Sequence, residues 1–91
     1  ILLILNNKME GREIGRVFNF FERIGVAAIE LTGDLKLGDT IRVVSSNSDF
    51  TEVIDSIQIE GKNVESAKSG DRVGIKFSMK ALKGSKVYKV F

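Results

Sequence analysis

Residues 72–80 constrain what this chain can fold into more than any other stretch. The odd positions read Val73, Ile75, Phe77 and Met79, and the even ones read Arg72, Gly74, Lys76, Ser78 and Lys80. Alternation with a period of two is the signature of a half-buried strand, apolar on the core side and basic on the other. The stretch leading into it, residues 56–71, supplies a strand, a tight turn at Gly61-Lys62 and a second turn at Ser69-Gly70-Asp71.

A chain of 91 residues has room for one small domain, expected over residues 1–91. It contains no cysteine, which removes disulfides and thiolate metal sites. It contains no histidine, which removes the usual general base and the commonest metal ligand. The apolar run Ile1-Leu2-Leu3-Ile4-Leu5 is too short to span a bilayer and reads as an N-terminal strand or stub within residues 1–11. Net charge is only +2, but from Lys62 onward basic residues far outnumber Glu65 and Asp71. Abundant Lys and Glu without Cys or His suit a thermophilic, cytoplasmic protein.

Taken in order, residues 13–21 and 26–31 are strands joined by Glu22-Arg23-Ile24-Gly25, with Gly15 at a bulge. Ile41 and Val43 mark the core face of the next strand. A polar loop at residues 45–49 then leads into a strand over residues 50–60, with Val53, Ile57 and Ile59 on one face. Residues 65–68 can form one helical turn. Lys83-Gly84 turns the chain into a closing strand over residues 85–91. An internal echo supports this division: Lys36-Leu37-Gly38-Asp39-Thr40-Ile41 matches Lys68-Ser69-Gly70-Asp71-Arg72-Val73. In each, glycine permits a tight turn and the aspartate can accept from nearby amides. Short antiparallel strands of this kind predict an all-β fold, a small closed Greek-key barrel of six to seven strands.

Four blocks, residues 14–31, 35–44, 53–75 and 82–90, together resemble domain two of the translation elongation factors, the β barrel that follows the GTPase domain in elongation factor Tu and its relatives. The resemblance covers residues 15–90. The chain is also similar to the small barrel at the C-terminus of collagenase-like peptidases, which carries an SIQIE-type strand followed by an A-K-x-G-D turn. No G-x-x-x-x-G-K-[ST] phosphate loop is present, so the resemblance implies a barrel without GTP binding.

The basic residues Arg72, Lys76, Lys80, Lys83 and Lys86, with Arg23 and Arg42 as additions, form the candidate nucleic-acid-binding face. Lysines there would neutralise phosphates without reading sequence, and the translation-factor resemblance implies tRNA or ribosomal RNA as the partner. The plainer reading is a solubilising outer face. Phe18, Phe20 and Phe21 beside Arg23 can stack bases or fill core. Asp39 and Asp71 follow turn glycines, where capping amides accounts for them. Asp55 lies on a mostly apolar face and would need a partner. Nothing supplies a catalytic constellation, a metal site or a cofactor site, so the expectation is a non-enzymatic binding module. The alternative is a protein-interaction or accessory barrel like the one attached to collagenase-like peptidases. A continuous positive groove favours RNA; dispersed cations around an apolar patch favour protein.

Overall fold

The computed structural model describes residues 11–90. Ten strands and no helix are formed among them: β1 (Arg12–Phe21), β2 (Val26–Leu31), β3 (Leu35–Lys36), β4 (Thr40–Ser45), β5 (Ser48–Val53), β6 (Ile57–Ile59), β7 (Lys62–Val64), β8 (Ser66–Ala67), β9 (Arg72–Lys76) and β10 (Lys86–Val90). The strand expected at residues 1–5 lies outside the described residues.

Eight strands form one sheet in the order β5-β4-β10-β1-β2-β9-β6-β7, and β3 pairs with β8 in a separate ribbon. Every ladder is antiparallel. The side chains facing one way across the sheet form rows. Val17, Ile29 and Val73 face one another across β1, β2 and β9, and Phe50, Val43 and Val87 do so across β5, β4 and β10. All six belong to a single buried cluster with Ile14, Leu31, Leu35, Ile41, Ile54, Ile57 and Ile75. With only the β3–β8 ribbon to help cover it among the described residues, the sheet buries one face by curling around that face. Phe50 and Phe77 meet edge to face across the curl, their centroids 5.7 Å apart and their planes at 84°.

The all-β expectation stands, but the closed six- to seven-stranded barrel and its Greek-key order do not follow from the pairing. Among the described residues no ladder joins β5 to β7, so the sheet is open by hydrogen bonding. The strand count rises because the run over residues 50–60 splits in two and because β3, β7 and β8 form short strands of their own; the run over residues 72–80 is shortened. The run over residues 50–60 splits at Ile54, whose amide donates to Asp39 O at 2.8 Å; this turns Ile54 into the core and leaves Val53 on the surface. The alternating run over residues 72–80 leaves the sheet after Lys76. Phe77 donates its amide to Gly25 O, then Ser78 gives its amide and hydroxyl to the Glu52 carboxylate. Met79 is therefore exposed rather than buried. Residues 65–68 are extended, because Ser66 and Ala67 pair with Lys36 and Leu35. Gly15 sits at a register shift in β1, as its sequence position suggests, and a second shift falls between Val17 and Asn19.

Candidate interaction face and the twin turns

The echoed segments fold into the same hydrogen-bonded hook. In the first, Lys36 N donates to Asp39 Oδ2 at 3.0 Å, Gly38 N to Ile54 O, and Ile54 N to Asp39 O. In the second, Lys68 N donates to Asp71 Oδ2 at 3.0 Å, Gly70 N to Leu31 O, and Leu31 N to Asp71 O. Gly38 and Gly70 have φ of 91° and 97°, the left-handed region that favours glycine. The β3–β8 ribbon leads into both hooks, and β4 and β9 leave them for the core.

The hooks differ in their surroundings. Lys89 lies on the inward side of β10 opposite Ile41, and its ammonium reaches Asp39 Oδ2 at 3.4 Å. Lys36 Nζ contacts Asp39 Oδ1 at 2.8 Å. Burial pushes the Asp39 carboxyl up, but hydrogen bonds from the Lys36 side chain and amide, with the Lys89 charge, outweigh it and hold the group below its ordinary range. Asp34, Leu35, Lys36, Ser66, Lys68 and Lys89 line an open cavity of about 620 Å³ beside the hooks. With Asp71 also on its wall, three lysines face two aspartates across it.

The opposite end of β2 and β9 has a different character. Ala27 and Ile29 point into the core, so Val26 points out, and it sits between Phe21 and Lys76 in the register. Phe18 is the extra residue of the second β1 bulge and stays on the surface, with the Arg72 guanidinium 5.4 Å from its ring centre. Phe20 alone of the three phenylalanines packs on the core. Phe18 is 38%, Phe21 46%, Ile24 60% and Met79 54% exposed. Met79 comes to this end because Phe77 bonds to Gly25 and Lys80 pairs with Glu22 at 2.7 Å.

The seven basic residues singled out in the sequence separate into groups. Lys76, Lys80 and Arg23 stand at the β1–β2 hairpin end with the exposed apolar side chains, whereas Arg72 begins β9 at its other end and reaches Phe18. Lys80 is held by Glu22, which its hydrogen bond keeps below the ordinary carboxyl pKa range, and Arg72 stands 4.0 Å from Glu30. Lys86 faces Arg16 and Val44 across neighbouring strands, and Lys83 is exposed in the turn before β10. Arg42 lies on the far side of β10, gripping Asp49 with Nε at 2.8 Å and with Nη2. Acidic partners thus interrupt the basic face. Asp55 is exposed rather than buried. The sequence reading missed Ile24 and Met79 as surface residues: Ile24 lay in the turn, and Met79 was in phase with the core. Among the described residues no group of His, Cys, Asp and Glu is arranged to hold a metal, and no helix is long and apolar enough to cross a membrane.

No protein-family model matches the chain. Over 77 residues, 84% of its length, it is 48% identical to an uncharacterized protease of Methanocaldococcus jannaschii. The chain spans 19% of that relative's length. Two crystal structures of the C-terminal domain of a Geobacillus thermoleovorans protein named as a U32 peptidase share its fold. One, a selenomethionine variant, superposes with a TM-score of 0.82 at 21% identity, covering 86% of this chain and 99% of that domain. The other gives 0.83 at 20%, covering 88% and 93%. These relatives agree with the peptidase-associated side of the sequence resemblance. They lend no support to the translation-factor side or to RNA binding.

Proposed function

We propose that this chain is the non-catalytic accessory domain of a U32-type peptidase, a protein-interaction module serving a catalytic body. The observation that carries this reading is the 48% identity to a protease, confined to a segment that matches an isolated peptidase C-terminal domain in fold. In this reading the curled sheet and its ribbon act as the small barrel of that domain. The absence of histidine and cysteine supports a non-catalytic role, since neither a thiol nucleophile nor an imidazole base is available. The exposed apolar side chains around Phe21 support protein contact, because large apolar groups gathered on one surface mark interaction sites.

The test uses the M. jannaschii protease with its matching 77-residue segment removed. The isolated chain should release nothing from fluorescent casein. Added to the shortened protease, it should raise casein turnover. Cleavage by the chain alone would overturn the reading, as would an added chain without effect.

A further inference from the structure

We infer that the β1–β2 hairpin end is the surface by which this domain docks on the peptidase body, and that the body presents there an apolar patch with an acidic rim. The inference rests on the accessory-domain reading and adds the contact surface and the chemistry of the partner. Three large apolar side chains, Phe21, Ile24 and Met79, stand at this end, and Phe18 extends the patch along the outer side of β1. The ladder from Phe21 through Val26 to Lys76, the Phe77–Gly25 bond and the Lys80–Glu22 pair bring the segments that carry them to one end of the sheet. Exposure on this scale is unfavourable in water and is relieved by a covering surface.

Charge decides what covers it. Arg23 and Lys76 border the patch and form no ion pair among the described residues, whereas Glu22 is already held by Lys80. A second copy of this chain would bring two positively rimmed patches together, which costs free energy. An acidic rim on the partner satisfies both cations. The M. jannaschii relative carries about four fifths of its length outside the matched segment, so under the accessory-domain reading a covalently linked body is the first candidate to cover the patch. Tethering raises the effective concentration to roughly millimolar, and a modest apolar contact then suffices. The hook end, by contrast, sets the Lys36 and Lys89 charges on Asp39, and its exposed large apolar side chains are Leu37 and Val53, neither of them aromatic.

The test is a chimera of the M. jannaschii protease in which this chain replaces the matching segment. Hydroxyl-radical oxidation of Met79, Phe21 and Leu37 is read by mass spectrometry in the chimera and in the isolated chain. A contact that is closed about nine-tenths of the time slows oxidation of Met79 and Phe21 about tenfold, a difference of about 1.4 kcal/mol. Leu37 keeps its rate. Phe21→Ser with Ile24→Ser in the chimera should return Met79 to the rate of the isolated chain. Equal Met79 rates in wild-type chimera and isolated chain overturn the inference. If Leu37 alone is protected, docking uses the hook end; the inference falls and the accessory reading stands. If nothing is protected, both fall. Protection of the isolated chain by phosphatidylglycerol vesicles, without protection in the chimera, makes a membrane surface the occupant and also overturns it. Should the chimera misfold, the chain mixed with the shortened protease gives the same comparison.

Discussion

Asp39 and Asp71 close their turns with the same hydrogen bond, each carboxylate accepting the amide of the lysine three residues earlier at 3.0 Å. What separates them is company. Asp39 is 9% exposed and holds both Lys36 and Lys89, while Asp71 is half-buried and takes part in no ion pair among the described residues. Asp39→Asn should therefore cost about 2 kcal/mol, because it leaves the partly buried Lys89 charge without its partner, and Asp71→Asn about 0.5–1 kcal/mol. Urea unfolding of the two variants checks the order; equal losses would refute it.

The same carboxylate gives stability a pH dependence. Folding lowers the Asp39 carboxyl below its ordinary value in the unfolded chain. Between the two values the unfolded state binds a proton that the folded state does not, so stability rises with pH across the window. The contribution is complete above the unfolded value and is lost as pH falls through the folded one. Thermal melts from about pH 6 to about pH 2 should show part of this slope vanish in Asp39→Asn.

Gly38 and Gly70 have open space where a Cβ would stand, so substitution there tests backbone conformation alone. Alanine at either position should cost about 1–2 kcal/mol, since an L-residue is strained at these angles. D-alanine, introduced by chemical synthesis, should fold with no such loss. Equal losses for both enantiomers would mean that contact rather than conformation sets the cost.

Phe50 and Phe77 pin the edge strand β5 to the chain leaving β9. Phe77→Ala should destabilise by about 3–5 kcal/mol, the range for emptying an aromatic site in a core. A double-mutant cycle with Phe50→Leu and Phe77→Leu should return a coupling of about 0.5–1.5 kcal/mol. Additive losses would show that the edge-to-face contact contributes nothing of its own.

Much of this fold was legible in the chain because the inward rows are aliphatic and regularly spaced. Ile29, Val43, Val73 and Ile75 announce both their strands and their faces. The echoed Lys-x-Gly-Asp turns were legible too, since glycine and aspartate at that spacing have few other uses. Ile54 and Ser78 were not. Each leaves a well-phased strand for a partner distant in sequence, Asp39 for one and Glu52 for the other, and periodicity cannot register such a partner. That is why Met79 reads as core and stands in water. The basic residues were all identifiable, but their acidic partners were not: Glu22, Glu30 and Asp49 meet Lys80, Arg72 and Arg42 only once the strands are paired.

Replacing Phe21 and Ile24 by serine should leave the isolated chain's stability within about 0.5 kcal/mol of wild type, as for surface positions generally. Binding of a hydrophobic dye should fall in the same variant. A large loss of stability would place these side chains in the core.

The most direct measurement is fluorescence anisotropy of the labelled 91-residue chain, titrated with the shortened M. jannaschii protease and, separately, with tRNA at low salt. The account predicts a saturable rise with the protease, weakened by Phe21→Ser with Ile24→Ser, and a flat trace with tRNA. A flat trace with the protease and a salt-sensitive rise with tRNA would contradict it, and would return the basic residues around Arg72 to the centre of the protein's function.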